Sequence, residues 1–426
     1  MKIYFCFCFF LLLTLSSCSS DAGKSAKKPA GAEKHISSFE KFPTGTVIDK
    51  ILCKADTSLS YAMYIPNGYN SKIPYPVIYA FDPHKTGKLP VSLYKDICEK
   101  YGYIIIGSNN SENGLDFKQV QQMANLMFSD SKERLNINTD RIYLMGFSGG
   151  ARVAHAITIL NHDVKGVICC GAANPAVNAA EARNNYTFFG IAGLDDFNYT
   201  EMKKYDLVEL SARKLKHYFM SFDGKHEWPA ADVMQEAFNW QDLNEKRKDP
   251  SAKNDPLITK ELAEEKQKLE ELINKNKEYE SYLLCKKVIN YYDQLGDLSF
   301  FFSTYNKLKT SEEVNTLLKL NENEIVREEK LRQEYVHYLQ NNDLNWWNKE
   351  IASINRTKKG KDASETRIKK RLLSYLSLVC YMQTSSALEQ NNLSSAEHFG
   401  KLYILVDPEN KEATRLIEEV NKKKVK

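Results

Sequence analysis

Short apolar runs and amphipathic stretches alternate through the first 240 residues. Residues 46–53 (TVIDKILC) and 60–65 (SYAMYI) alternate as strands do, and Pro66-Asn67-Gly68 ends the second with a turn. Apolar runs follow at 77–81 (VIYAF), 103–107 (YIIIG), 141–145 (RIYLM), 166–170 (GVICC) and 187–192 (TFFGIA), with a last strand at 217–222 (HYFMSF). Helical periodicity occupies about 89–100, 116–134, 149–160, 200–214 and 230–241. Apolar strands alternating with helices predict a doubly wound, mostly parallel α/β sheet covered on both faces. Such sheets gather reactive side chains in loops at the strands' C-terminal ends.

The pattern changes near residue 240. Residues 1–240 hold 16 of the 19 glycines, whereas residues 241–426 hold three, with 33 Lys+Arg and 31 Asp+Glu. Few glycines and dense mixed charge predict long helices with one solvated face. One such stretch is 261–292, after which Gly296 interrupts. Segment 386–420 resembles one tetratricopeptide-type helical hairpin. Ala396 sits where helices pack closely, and Asp407-Pro408-Glu409-Asn410 forms the turn. Gly400 stands where an aromatic is usual, and a generic helical bundle fits the same residues. The expected all-α domain covers 257–426; its surface would bind a protein partner or brace the first domain. Trp346-Trp347 reads as buried packing before it reads as a contact site.

The first 15 residues, MKIYFCFCFFLLLTL, are too short an apolar run to span a bilayer comfortably and have the shape of a signal-peptide core. Leu15-Ser16-Ser17-Cys18 resembles the bacterial lipobox, which implies lipidation at Cys18. The expected order is a lipoprotein signal peptide at 1–17, a flexible tether at 18–43, a catalytic domain at 44–243, then the helices. This places the protein in a bacterial cell envelope, lipid-anchored and extracytoplasmic. A net charge of +4 over 426 residues gives no case for nucleic acid. An aromatic content of 11% excludes low-complexity disorder. Cys169-Cys170, in an apolar run, read as buried thiols and not a metal site.

The chemistry concentrates in three loops. Strand 141–145 runs into Gly146-Phe147-Ser148-Gly149-Gly150 and then a helix. G-x-S-x-G between strand and helix is a nucleophile elbow, whose strained turn lifts the serine hydroxyl above the sheet. The Gly149 N–H, at the helix start, is placed to bind a developing oxyanion. A serine needs a base, and the base a carboxylate to orient it. His226 follows the last strand, within Gly224-Lys225-His226-Glu227-Trp228-Pro229, and is the candidate base. Asp195 and Asp196 follow strand 187–192, and Asp196 is favoured as the acid. Asp223 precedes His226 too closely to reach its ring easily. His155, His162, His217, His337 and His398 lie in less suitable positions.

With these residues the chain resembles an α/β-hydrolase over about 44–241, most like the dienelactone-hydrolase, feruloyl-esterase and polyhydroxybutyrate-depolymerase branches. The carrying segments are DRIYLMGFSGGARVA (140–154), GLDDFNY (193–199) and GKHEWP (224–229). The resemblance implies a cofactor-independent, metal-free serine hydrolase. Ser148 attacks, His226 shuttles the proton, Asp196 orients it, and an ester-containing small molecule or polymer is cleaved. Relatives usually place the acid three residues after the glycine, which is why Asp196 is preferred. The same fold also serves peptidases, and an inactive, tethered binding protein is the rival reading. One segment departs from the pattern. Many relatives carry His-Gly after the third strand, but here Phe81-Asp82-Pro83-His84 stands, and Pro83 has no N–H. The second oxyanion donor would be the Asp82 backbone or a residue just beyond Pro83. The Asp82 side chain would oppose the developing charge unless it turns away, and its alternative role is to hold the loop by hydrogen bonding. Asn109-Asn110 and Asn113-Gly114 are expected at the pocket border, with loop formation their simpler role.

Overall fold

The computed structural model describes residues 39–175, 177, 183–357 and 363–424. The expected signal peptide, Cys18 and the tether up to residue 38 lie outside the described residues. Among those described, one sheet contains β1 (Val47–Leu52), β2 (Ser60–Tyr64), β3 (Tyr75–Phe81), β4 (Ile104–Ser108), β5 (Ile137–Phe147), β6 (Val164–Cys170), β7 (Thr187–Gly193) and β8 (Lys216–Phe222). The spatial order is β1-β2-β4-β3-β5-β6-β7-β8. β2 runs antiparallel to both neighbours, and every other pair is parallel. This is the mostly parallel sheet of an α/β-hydrolase fold.

Alternation along the strands explains the layers. Val77, Tyr79, Ile104, Ile106, Ile142 and Leu144 share one buried cluster with α2 (Phe117–Arg134) and α3 (Gly149–Leu160). Ile78, Ala80, Ile105, Tyr143 and Met145 point the other way, into a cluster with α1 (Lys88–Tyr101) and α5 (Ala231–Lys246). Successive side chains of a strand face opposite sides, so a strand apolar throughout is buried on both. The start of α2 is fixed by reciprocal bonds: Gln119 N donates to Asp116 Oδ1 at 3.0 Å, and Asp116 N donates to Gln119 Oε1 at 3.3 Å.

The helix expected at 200–214 takes another form. α4 (Tyr199–Lys204) passes into a π-helical turn over Tyr205–Leu210. The wider turn lets Tyr205 and Leu210, five residues apart, both be buried.

The remaining helices are α6 (Pro256–Asn274), α7 (Glu278–Tyr292), α8 (Ser299–Leu308), α9 (Glu312–Asn341), α10 (Leu344–Thr357), α11 (Ala363–Glu389), α12 (Leu393–Val406) and α13 (Lys411–Lys424). The cluster beneath α1 and α5 continues without a break into Ile258, Leu262, Cys285, Val288 and Phe301. α7 pegs itself to the sheet edge: Trp240 Nε1 donates to Asn290 Oδ1 at 2.7 Å, and Asn290 Nδ2 donates to the His217 carbonyl at 2.9 Å. α9 to α13 surround a separate core that includes Tyr335, Trp347, Leu376, Leu402 and Leu416. Trp347 is fully buried there, and Trp346 packs on Tyr338 with ring centres 5.0 Å apart. No described helix is long and apolar enough to cross a membrane.

Candidate active site

Ser148 links β5 to α3 with φ 52° and ψ −122°. A non-glycine residue with positive φ is strained, and the surroundings must hold it there. Its N–H donates to the Cys170 carbonyl at 2.8 Å, which ties the elbow to the end of β6. Glycine is required on both sides. A Cβ on Gly146 would collide with the Gly150 carbonyl, and one on Gly150 with the Phe81 carbonyl at the end of β3.

His226 stands beside this serine, with Nε2 2.9 Å from Ser148 Oγ. On its other side, His226 Nδ1 lies 2.9 Å from Asp196 Oδ1. Asp196 is almost fully buried, and its Oδ1 also accepts the Asn198 N–H at 2.7 Å. The imidazole is held between two aromatic rings, Phe147 at 4.7 Å and Phe197 at 4.1 Å between centres. The loops after β5, β7 and β8 thus bring together Ser148, Asp196 and His226, residues up to 78 apart in sequence.

The other two aspartates face elsewhere. Asp195 pairs with Arg367 at 3.0 Å and Lys370 at 2.6 Å, both on α11. Asp223 is exposed and also reaches Arg367, at 3.1 Å. A tight turn separates the neighbours' directions: Asp196 N donates to the Gly193 carbonyl at 3.0 Å, and Asp195 N to the Gly224 carbonyl at 2.9 Å.

The loop after β3 is built around the Asp82 carboxylate. Oδ1 accepts the His84 N–H at 2.9 Å and the Thr86 hydroxyl at 2.6 Å, while Oδ2 accepts Trp228 Nε1 at 2.8 Å. Asp82 therefore does hold the loop by hydrogen bonding. The N–H groups just beyond Pro83 are engaged, His84 by Asp82 and Lys85 by the Ser111 carbonyl at 2.8 Å. Trp228 packs on Phe147 and Tyr94 while making this bond. Gly149 opens α3, and the Asn113 carboxamide stands so close to it that a Cβ at 149 would collide with Asn113 Oδ1. Asn113 therefore borders the elbow. Asn109 and Asn110 bond instead to Asp49 within β1 and to Ser58 and Ser60 at the start of β2.

Gly171, just after β6, escaped the sequence reading. It has φ 66°, and a Cβ there would meet Phe147 Cε2 at 3.0 Å, Asp196 Oδ2 at 3.1 Å and His226 Cε1 at 3.1 Å. Only its position after an apolar strand hinted at it. The remaining histidines have other partners or places. His155 is buried in α3 between the Ala173 carbonyl and the Tyr186 hydroxyl, and burial pushes its pKa down to about 4. His217 bonds to the Leu215 carbonyl, and His337 and His398 lie on α9 and α12. Cys169 and Cys170 are buried free thiols in β6, and burial raises the pKa of both.

No family model matches this chain, and no curated protein does. Solved structures do resemble part of it. An esterase from the hyperthermophilic archaeon Pyrobaculum calidifontis is 11% identical, covering 43% of this chain and 78% of its own, with TM-score 0.35. A ferulic acid esterase from Anaeromyces mucronatus, solved with ferulic acid, is 16% identical over 46% of this chain and 89% of its own, with TM-score 0.37. A dienelactone hydrolase-like promiscuous phosphotriesterase from metagenomic libraries is 12% identical over 43% of this chain and 90% of its own, with TM-score 0.36.

Proposed function

We propose that this protein is a serine hydrolase that cleaves a carboxylic ester through an acyl-enzyme. The observation that carries the reading is the unbroken line from Ser148 Oγ through His226 to Asp196, with 2.9 Å at each step. A serine hydroxyl is a poor nucleophile at neutral pH unless its proton has somewhere to go. His226 Nε2 takes that proton as Oγ attacks the ester carbon. Nδ1–H donates to Asp196, which fixes the tautomer and stabilises the imidazolium. The same imidazolium then protonates the leaving alcohol. Water, deprotonated by His226, releases the acid and restores Ser148. The tetrahedral oxyanion is held by the Gly149 N–H at the start of α3, with the Asp82 N–H as its partner donor. The Asp82 carboxylate is engaged by three donors, from His84 N, Thr86 and Trp228, which hold it in the loop.

The envelope location and the lipid at Cys18 belong to this proposal and rest on the leader residues alone. Metabolic labelling with an alkyne fatty acid is expected to mark the wild type and not Cys18→Ala.

A fluorophosphonate probe tests the chemistry. It is expected to label wild-type protein at Ser148 and to leave Ser148→Ala unlabelled. Turnover of a panel of short acyl esters should follow the same pattern. Equal labelling of both proteins, or complete inertness with every ester, would remove the assignment and favour a tethered binding protein.

A further inference from the structure

We propose that the C-terminal helices position the acid of the catalytic line, with Arg332, Arg367, Lys370 and Arg371 as positioning residues for Asp196. This rests on the serine hydrolase reading. The loop after β7 is held from two sides. Its N–H groups are satisfied within the sheet region: Leu194 N donates to the Phe222 carbonyl at 2.8 Å, and those of Asp195 and Asp196 bond to Gly224 and Gly193. Its outward oxygens are held by α9 and α11. Arg371 Nη1 donates to the Leu194 carbonyl at 2.7 Å. Arg367 and Lys370 hold the Asp195 carboxylate. Arg332 donates to the Phe197 carbonyl. Residues 194, 195 and 197 are thus each gripped by a cation more than 130 positions away in sequence, around the carboxylate that faces His226.

The grip is itself built with care. Arg371 donates to Glu328 Oε2 through Nε at 2.8 Å and Nη2 at 2.6 Å, and Arg332 donates to the other oxygen, Oε1. Arg371 and Glu328 side chains are 4% and 1% exposed. Burying two charges is unfavourable for stability unless geometry and further hydrogen bonds offset it, so such a pair is poor evidence of a mere brace. A forked guanidinium fixes direction as well as distance. The Arg371 guanidinium also lies 4.9 Å over the Tyr199 ring, and Lys204 pairs with Glu329 at 2.8 Å, extending the contact to α4. The Phe197 carbonyl is held while its ring lies against His226, so the grip bears on the base as well as the acid. A catalytic group displaced by about 1 Å can lose about a hundredfold in rate.

The test uses full-length R367Q/K370Q, whose replaced side chains are partly exposed, and Arg371→Lys, which keeps the charge and loses the fork. Ester turnover and the fluorophosphonate labelling rate of Ser148 are measured in the wild-type and the Asp196→Ala backgrounds, with amide exchange of residues 193–199. The expected result is a fall in kcat of about tenfold at nearly constant KM in the wild-type background. Little further loss is expected once Asp196 is gone, and exchange of 193–199 should quicken. A full-sized loss in both backgrounds, or no loss in either, overturns the proposal. If wild-type protein is neither labelled nor active, the hydrolase reading fails separately. The exchange measurement then decides: faster exchange keeps the grip on this loop, and unchanged exchange overturns it.

Discussion

Gly171 and His226 approach so closely that a single added methyl group on the glycine would lie 3.1 Å from His226 Cε1. The same methyl would crowd Asp196 Oδ2 and Phe147, and the backbone there has φ 66°, which side chains disfavour. Gly171→Ala is therefore expected to destabilise the fold by about 1–2 kcal/mol. It should lower kcat by roughly 10- to 100-fold, because the imidazole must move to make room. Urea midpoints and steady-state ester kinetics check both parts. A normal kcat in folded G171A would show that the ring has slack.

Asp196 and Asp195 are neighbours with different partners, His226 for the first and Arg367 with Lys370 for the second. Asp196→Asn keeps the size but leaves His226 in the wrong tautomer, so kcat is expected to fall by about 10,000-fold. Asp195→Asn weakens only the grip of Arg367 and Lys370, and a loss of roughly tenfold is expected. A reversed ranking in kcat would exchange the two assignments.

Asp82 is predicted to matter for stability first. Asp82→Ala leaves the His84 N–H, the Thr86 hydroxyl and Trp228 Nε1 without their acceptor. Trp228→Phe removes one charge-assisted bond and should cost about 1.5–3 kcal/mol, with D82A costing more. Chemical denaturation of both variants reads this directly, and an order reversed between them would contradict the account of the loop.

His155 should make the fold sensitive to acid. Its ordinary pKa of 6.5 is lowered to about 4 by burial. The unfolded chain then binds the proton more readily than the folded one. The stability that comes from keeping this ring neutral is complete above pH 6.5 and is lost as pH falls towards 4. The effect amounts to about 3 kcal/mol. His155→Gln is expected to flatten the stability curve across that window in urea titrations at stepped pH. An unchanged slope would assign the acid sensitivity to other groups.

Much of this architecture was legible because buried parallel strands leave an apolar signature. The runs at 103–107 and 187–192 coincide with β4 and β7 to within a residue. β5 begins at Ile137, four residues before its apolar run, because Asn138 and Asp140 mask its start. The elbow was readable since glycines flank a serine between strand and helix. Periodicity is silent on which of two adjacent aspartates turns inward, because backbone bonds to Gly193 and Gly224 set that. The grip of α9 and α11 was not legible at all. Arg332, Arg367, Lys370 and Arg371 look like the charged face of solvated helices until the fold brings them to residues 194–197.

The seating of α7 against the sheet edge bears on how the chain can be divided. Tyr291 lies edge-on to Tyr218 at 5.0 Å, and Asn290 fills the polar needs of Trp240 and His217. A truncated polypeptide stopping after α5 would present that aromatic surface to water, with the Trp240 indole N–H and the His217 carbonyl bonded to solvent in place of Asn290. Such a fragment should clump or fold poorly even though it retains every residue of the chemistry. Expression trials seeking a minimal folded fragment should therefore cut no earlier than the end of α8, and a fragment ending there would still lack the α9 and α11 cations that hold residues 194–197.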